Sequence, residues 1–160
     1  MSALLWTLAL LWPVLFIAVA THELAHTVTA RLLGIPVRSV DIGAGQEVAA
    51  MTVAGIRVSL RRRPSGGFTD ADLSAARSRW HVIATVAAGP AVNAIEAVAL
   101  LLIGRVAPGT PRDMAAALGA AIGLVAILQV IPNQDNDGAL IIRALRGHTV
   151  QEAGGGSPCR

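Results

Sequence analysis

The sequence predicts a mainly α-helical, polytopic membrane protein, with a core of three transmembrane helices and a short β-rich loop on the cytoplasmic side between the first two spans. Three observations lead to this fold class. Apolar residues make up 54% of the chain and charged residues 14%, whereas an ordinary soluble domain has about 25% charged residues. The mean hydropathy is +0.60. Three segments are also apolar over the roughly 20 residues that a helix needs to cross a bilayer.

The first predicted span covers residues 3–33 and ends at the sequence Gly-Ile-Pro, where helix breakers follow each other. Residues 3–20 contain no ionisable side chain, and Pro13 can kink the helix. No basic residue precedes Arg31, whereas a secretory signal peptide begins with a basic segment and has a shorter apolar core. We therefore expect a retained transmembrane helix.

The second and third predicted spans cover residues 80–103 and 114–131. After the third span, the piece ALIIRALRG predicts a helix that leaves the membrane or lies on its surface. Residues 1–150 are expected to form a single intramembrane core, since the chain is long enough for one domain. Residues 151–160 are rich in glycine and are expected to form a disordered tail.

The segment between the first two spans, residues 37–67, differs in character from the spans. VRSVDI, EVAAMTV and IRVSLR contain β-branched residues in partial alternation, with glycines between them. This pattern predicts two or three short strands, closed by the turn-rich sequence RRRPSGG. The following stretch, TDADLSAARSRW, predicts a short amphipathic helix with Thr69 or Asp70 as its N-cap.

The distribution of arginine predicts the orientation in the membrane. All 13 basic residues are arginine. Most lie in the loop after the first span or follow the third span, whereas only Arg105 and Arg112 lie between spans two and three. Because cytoplasmic loops are enriched in basic residues, we expect the N-terminus outside and the C-terminus in the cytoplasm of a bacterial plasma membrane. The cluster at residues 61–63 is interpreted as part of this signal, with phosphate binding as the alternative, and no nucleic-acid partner is expected.

The sequence THELAH, residues 21–26, places three titratable side chains at the end of the first apolar run. His22 and His26 are four residues apart, so a helix brings both imidazoles to one face, close enough to hold one Zn²⁺. Glu23 lies beside that position and can pass a proton from water to a leaving amine. Ionisable groups at the centre of a span are penalised by at least about 2.5 kcal/mol, so unused ones are rare. The alternative is structural: the histidines bond to neighbouring helices and Glu23 pairs with an arginine.

Two histidines leave a catalytic zinc site short of one protein ligand. The best donor lies in IPNQDNDGAL, at the cytoplasmic end of the third span and at the expected depth of THELAH. Pro132 and Gly138 break the helix there, and exposed backbone at membrane depth is tolerated where it lines a polar cavity. Asp137 can turn its carboxylate toward the metal, and Asp135 is the rival candidate.

Three motifs on three successive spans resemble those of the site-2 proteases, which are intramembrane zinc metalloproteases. The resemblance covers residues 20–147 and includes the glycine-marked strands and the Pro-x-Gly-Gly turn of the loop. The spacing of the third motif selects Asp137 over Asp135. The matching residues are His22, Glu23 and His26 of HExxH, Gly89, Pro90 and Asn93 of Gly-Pro-x-x-Asn, and Pro132, Asp137 and Gly138 of N-x-x-P-x-x-x-x-D-G.

The resemblance implies a minimal form of the family core, without a PDZ or CBS segment, and one Zn²⁺ per chain held by His22, His26 and Asp137. It also implies a catalytic role for Asn93, which would position the substrate or stabilise the oxyanion. A hydrogen bond between helices is the alternative for that side chain. The chain departs from the family pattern at Gln129, where the family usually has Asn, and in the polar run NQDN.

The expected function is that of a zinc-dependent intramembrane endopeptidase, cleaving a transmembrane helix of a membrane-bound substrate near the cytoplasmic side in regulated intramembrane proteolysis. The substrate helix is expected to unwind, to contact Gly89 and Pro90, and to add a strand at the edge formed by residues 48–61, which includes Val53 and Ile56. The alternative is a non-catalytic membrane zinc-binding scaffold of the same fold. A metal transporter is disfavoured because three spans offer no inverted repeat. The expected partners are this substrate and the lipid bilayer, and the formation of a homo-oligomer stays open.

Overall fold

The structure is a computed structural model that describes residues 3–133 and 136–147. Three helices are long and apolar enough to cross a membrane, which confirms a mainly helical chain with three candidate spans. The predicted tail, residues 151–160, lies outside the described residues. In chain order the elements are α1 (Ala3–Leu32), β1 (Val37–Val53), β2 (Ile56–Ala71), a 3₁₀ turn (Leu73–Ala75), α2 (Arg79–Val106), α3 (Thr110–Val130) and α4 (Asp137–Leu145).

Two of the membrane-length helices begin at local sequence signals. The helix α2 starts after Ser78, whose hydroxyl oxygen accepts a hydrogen bond from the backbone N–H of His81, as an N-cap does. It runs three residues beyond the predicted span, to Val106. The helix α3 starts at Thr110, four residues before the predicted span, because a proline in the first turn of a helix needs no hydrogen-bond donor. The connection between the two helices is short, so that they pack as neighbours.

The helical bundle packs through small side chains. Ala18 of α1, Ala97 of α2 and Ile122 of α3 form one buried cluster. A Cβ atom at Gly119 would lie 3.0 Å from the carbonyl oxygen of Ala97, so α2 and α3 approach closely there. Small residues at contacts and large apolar side chains on the outer surface are typical of helices packed in lipid.

The two strands form one antiparallel sheet and turn back at Ala54 and Gly55. The sequence predicted two or three short strands, whereas the structure has two long ones that bend. Bends are possible because Gly43 and Gly45 have φ values of 92° and 85°, which a glycine adopts without strain. Because the strands bend, residues 39–42 of β1 pair with two parts of β2, residues 57–60 on one side and residues 67–70 on the other.

The predicted amphipathic helix after the strands is not formed. Thr69 and Asp70 belong to β2, and only the 3₁₀ turn Leu73–Ala75 follows, after Asp72. The ladder pairing of Val40 with Thr69 explains this difference, since a strand partner satisfies backbone groups that a helix would otherwise satisfy. The hydroxyl of Ser74, in the same turn, donates a hydrogen bond to the carboxylate of Asp72 and lowers the pKa of that carboxyl group.

Candidate metal centre

Three side chains with metal-ligating atoms converge from α1 and α4. The Nε2 atom of His22 lies 3.0 Å from the Nε2 atom of His26 and 3.1 Å from Oδ2 of Asp137. The Nε2 atom of His26 lies 3.6 Å from Oδ1 of the same carboxylate. Candidate ligand atoms of the three residues all lie within 4.8 Å of one another. Asp135, the rival candidate in the sequence, lies outside the described residues.

This donor set fits zinc. Two imidazole nitrogens and a carboxylate oxygen are a common ligand set of catalytic zinc sites, which keep a fourth position open. Two nitrogens that share a tetrahedral Zn²⁺ lie about 3.3 Å apart, and the two Nε2 atoms here are 3.0 Å apart. The cluster therefore needs little adjustment to hold one ion.

Gly89 of α2 makes room for the two imidazoles. A Cβ atom at this position would lie 2.5 Å from Nε2 of His22, and it would collide with Nε2 of His26 as well. Any side chain at this position would therefore displace both nitrogens. The sequence predicted Gly89 as a substrate contact, and the structure places its backbone directly against the ligand atoms.

The backbone of α2 also orients one of the histidines. The Nδ1 atom of His26 lies 2.7 Å from the carbonyl oxygen of Thr85. A carbonyl oxygen only accepts hydrogen bonds, so His26 carries its ring proton on Nδ1 and directs the lone pair of Nε2 toward the cluster. Metal-ligating histidines usually have such a partner for the second ring nitrogen.

The junction between α3 and α4 brings Asp137 to the histidines. The side-chain oxygen of Asn136 accepts hydrogen bonds from the backbone N–H groups of Ala139 and Asn133, both at 3.1 Å, and caps α4. Its amide nitrogen donates to the carbonyl oxygen of Ile131 at 2.7 Å. A Cβ atom at Gly138 would collide with the end of α3. The cap and the glycine together fold α4 back against α3, with Asp137 in the first turn.

The strand β2 encloses Glu23. The hydroxyl of Thr69 donates a hydrogen bond to Oε2 of Glu23 at 2.7 Å. A Cβ atom at Gly67 would lie 2.6 Å from Oε1 of Glu23. Glu23 is 4% exposed. Sequence reasoning missed this contact, because it predicted a helix there with Thr69 or Asp70 as the N-cap. The one local signal for a close approach was the pair of glycines before Phe68.

A cavity of about 300 Å³ opens onto the cluster. Its walls include the three candidate ligands, Glu23, residues 66–69 of β2 and Gln129 of α3.

Gly89 and the other predicted substrate contacts do not line this cavity. Pro90 borders an apolar groove between α2 and α3. Val53 and Ile56 lie at the hairpin turn, where Val53 is 49% exposed and Ile56 is 6% exposed. Asn93 is buried beside His22, at the ring nitrogen that does not face the other ligands.

The fold and the site together define an integral membrane protein with a candidate metal centre built on an HExxH helix. The sequence profile of Peptidase family M50 matches residues 11–153, which include every residue of the cluster. The chain belongs to this family, the site-2 protease family of metallopeptidases, as the sequence motifs predicted. A comparison with curated proteins gives no match.

Proposed function

We propose that this protein is a zinc-dependent intramembrane endopeptidase, which cleaves a transmembrane helix of a membrane-bound substrate near the cytoplasmic side in regulated intramembrane proteolysis. The single observation that carries the proposal is the convergence of His22, His26 and Asp137 beside Glu23 in a membrane-length helix bundle. Membership of Peptidase family M50 supports metallopeptidase chemistry at the level of the family.

The three ligands would hold one Zn²⁺, which when bound supplies Lewis-acid polarisation of the scissile carbonyl and activation of water. The remaining chemistry belongs to Glu23. Water adds to the carbonyl carbon, Glu23 takes one proton from that water, and it returns the proton to the amide nitrogen as the C–N bond breaks. The hydroxyl of Thr69 holds one carboxylate oxygen of Glu23, which limits the rotation of the carboxylate between these two proton transfers.

The unwound substrate would lie along residues 67–70 of β2. These residues form one edge of the described sheet, and Phe68 and Thr69 also line the cavity. An extended peptide that pairs with a sheet edge exposes its own carbonyl groups in a regular array. This edge is closer to the candidate ligands than the hairpin around residues 48–61, and the 61% exposure of Phe68 leaves an apolar side chain for the substrate to contact.

The arginine-rich loop supports an N-terminus outside and a cytoplasmic C-terminus. In that orientation the cluster lies in the cytoplasmic half of the bilayer, because His22 is roughly 13 Å along α1 from Arg31 at a rise of 1.5 Å per residue. The peptide bond to be cut would lie at the same depth. We propose a bacterial plasma membrane as the location of the protein.

The test is the substitution Glu23→Gln, assayed for zinc content and for cleavage of a transmembrane helical reporter in detergent or proteoliposomes. We expect wild-type zinc content and a loss of about 10²- to 10⁴-fold in cleavage rate, the usual contribution of a general base. Glu47→Gln is the matched control, since Glu47 is exposed, pairs with Arg57 and does not line the cavity. It should leave both readouts unchanged.

Full turnover by the Glu23→Gln variant would overturn the mechanism. If the Asp137→Ala variant kept both its zinc content and its cleavage activity, the proposed ligand set would be wrong. Wild-type protein that holds zinc but cleaves no helical reporter would favour a non-catalytic scaffold.

A further inference from the structure

The carboxamide of Asn93 is the most enclosed polar side chain next to the candidate metal centre. Asn93 is 1% exposed, and its amide nitrogen lies 3.2 Å from Nδ1 of His22. The same nitrogen lies 3.2 Å from Oε1 of Gln129 on α3. Its oxygen, Oδ1, is buried and has no hydrogen-bond partner among the residues that the structure describes.

The two histidines of the cluster differ in what supports them. The Nδ1 atom of His26 faces a backbone carbonyl oxygen, that of Thr85, which is fixed as an acceptor. The Nδ1 atom of His22 faces a side-chain carboxamide. A carboxamide can donate through its nitrogen or, after a rotation of 180° about its terminal bond, accept through its oxygen. His26 is therefore held in one tautomer, whereas His22 has a partner for either tautomer.

With the amide nitrogen of Asn93 toward His22, one proton arrangement satisfies the cluster without a metal. The amide donates to Nδ1 of His22, so the ring proton of His22 lies on Nε2. That proton faces Nε2 of His26 at 3.0 Å and a carboxylate oxygen of Asp137 at 3.1 Å. The amide also donates to the side-chain oxygen of Gln129.

Metal binding reverses these requirements. The Nε2 atom of His22 must then offer its lone pair, so the ring proton moves to Nδ1 and needs an acceptor. If Asn93 kept its first orientation, its amide N–H would face the Nδ1–H of His22, and neither donor would have an acceptor. Rotation brings the unpartnered Oδ1 atom to Nδ1, and rotation of the Gln129 carboxamide turns its nitrogen toward that oxygen.

We infer that Asn93 is a positioning residue for His22, whose carboxamide accepts the Nδ1 proton when Nε2 binds zinc and donates to Nδ1 when it does not. Gln129 supports this role through its contact with the carboxamide of Asn93. The inference rests on the proposed zinc site and adds to it a tautomer switch on one ligand. Asn93 does not line the cavity, so its position favours this role over contact with the oxyanion, the role that the family resemblance implies. The side chain of Gln129 on α3 reaches the carboxamide of Asn93 on α2.

The experiment compares Asn93→Leu, which removes both polar atoms, with Asn93→Asp, which keeps only acceptors. Zinc affinity is measured by chelator competition on the purified full chain, and cleavage of the helical reporter is measured at saturating zinc. We expect the zinc dissociation constant of Asn93→Leu to rise about 10- to 100-fold, as for other outer partners of metal-ligating histidines. Asn93→Asp should bind zinc at least as tightly as wild type, because its carboxylate accepts the Nδ1 proton.

If Asn93 instead stabilised the oxyanion, its substitution would change turnover and leave zinc affinity unchanged. Asn93→Leu would then bind zinc as tightly as wild type and lose turnover at saturating zinc, and Asn93→Asp would lose turnover as well, because it places an anion beside the oxyanion. Imidazole ¹⁵N spectra of zinc-loaded wild type supply a second readout. They should show the proton of His22 on Nδ1 in a hydrogen bond that is absent from Asn93→Leu and restored in Asn93→Asp.

A second variant keeps the test informative if Asn93→Leu does not fold. Gln129→Glu offers only acceptors, so it holds the amide nitrogen of Asn93 toward His22 and disfavours the tautomer that binds zinc. We expect its zinc affinity to fall about tenfold, although its added negative charge alone would raise the affinity for a cation. Gln129 is half-buried and lines the cavity. Water can therefore solvate the carboxylate of the Gln129→Glu variant, so the new charge is not buried without a partner.

The two possible failures are distinguishable. Wild-type zinc affinity in both Asn93→Leu and Gln129→Glu would overturn the inference and leave the proposed zinc site intact. Equal zinc content in wild type and in His22→Ala would overturn the proposed site itself.

Discussion

The candidate metal centre has two walls that are built differently. The helical wall comprises His22, His26 and Asp137, whose positions depend on helix period, a helix cap and close contacts between helices. The strand wall comprises residues 66–69 of β2, which enclose Glu23 and whose position depends on pairing with β1. Glu23 lies on α1 between the two histidines, but its carboxylate is held by β2. Metal binding and proton transfer should therefore respond to different substitutions.

The two walls also differ in their exposure. On the helical wall the two histidines are buried against neighbouring helices and Asp137 is half-buried, and a methyl group added at Gly89 has no free space. On the strand wall Phe68 is largely exposed, and a methyl group added at Gly66 meets no atom within 4 Å. A wall that is open at its outer side can admit an extended peptide, whereas a closely packed wall holds ligand atoms in place.

Among the substitutions that test the difference between the two walls, Gly89→Ala is expected to change zinc affinity the most. The new methyl group would collide with both Nε2 atoms, and overpacking of this kind costs about 1–3 kcal/mol. Because the atoms that the methyl group meets belong to the two imidazole side chains, we expect the strain to displace these candidate ligands and to lower zinc affinity by roughly ten- to hundredfold. Chelator competition on the purified protein measures this change, and cleavage should fall with it.

Gly123→Ala is the matched control for that substitution. A Cβ atom at Gly123 on α3 meets only the Cβ of Ala97, at an ordinary distance of 3.5 Å, so zinc affinity should be unchanged. If both glycine variants bound zinc like wild type, close packing against Gly89 would not be what positions the histidines.

The helical wall is the part of the site that could be predicted from the sequence. Hydropathy alone indicates the three membrane-length helices, and the four-residue spacing of His22 and His26 places them on one helix face. The third candidate ligand was harder to predict, because the local pattern favoured Asp137 but left Asp135 as a rival, and the family motif was needed to select Asp137. The contact between Asn93 and Gln129 joins two helices, so it depends on how each helix is rotated about its axis, which no local pattern reveals.

The strand wall could not be predicted in the same way. Its position depends on the pairing of Val40 with Thr69, residues that are far apart in the chain. Local propensity favoured a helix cap at Thr69, since threonine followed by acidic residues is typical of a helix start. Long-range strand pairing outweighed that preference. The sequence therefore predicted Glu23 as the candidate base, but not Thr69, which holds its carboxylate.

A medium effect, confined to turnover, is expected from Thr69→Val. The substitution keeps the shape of the side chain and removes the hydroxyl that donates to Oε2 of Glu23. Hydrogen bonds to a charged group contribute about 1.5–3 kcal/mol, so we expect cleavage at saturating zinc to slow by about tenfold or more. Zinc affinity should stay at the wild-type value. Thr69→Ser retains the hydroxyl and should restore most of the rate.

A fall in zinc affinity of Thr69→Val, on the scale expected for Gly89→Ala, would contradict the separation of the two walls. It would mean that β2 supports the ligands as well as the base.

The smallest effect is expected from Asn136→Ala, at the edge of the helical wall. Loss of an N-cap costs about 1 kcal/mol, and here the cap orders the first turn of α4, which carries Asp137. We expect a loss of zinc affinity of about fivefold, measured by the same chelator competition. Asn136→Asp keeps the oxygen that accepts from Ala139 and should recover most of the affinity, although it loses the bond to Ile131. Wild-type affinity in Asn136→Ala would show that packing of Gly138 against the end of α3 is sufficient to position the carboxylate, and the helical wall would then depend on close packing alone.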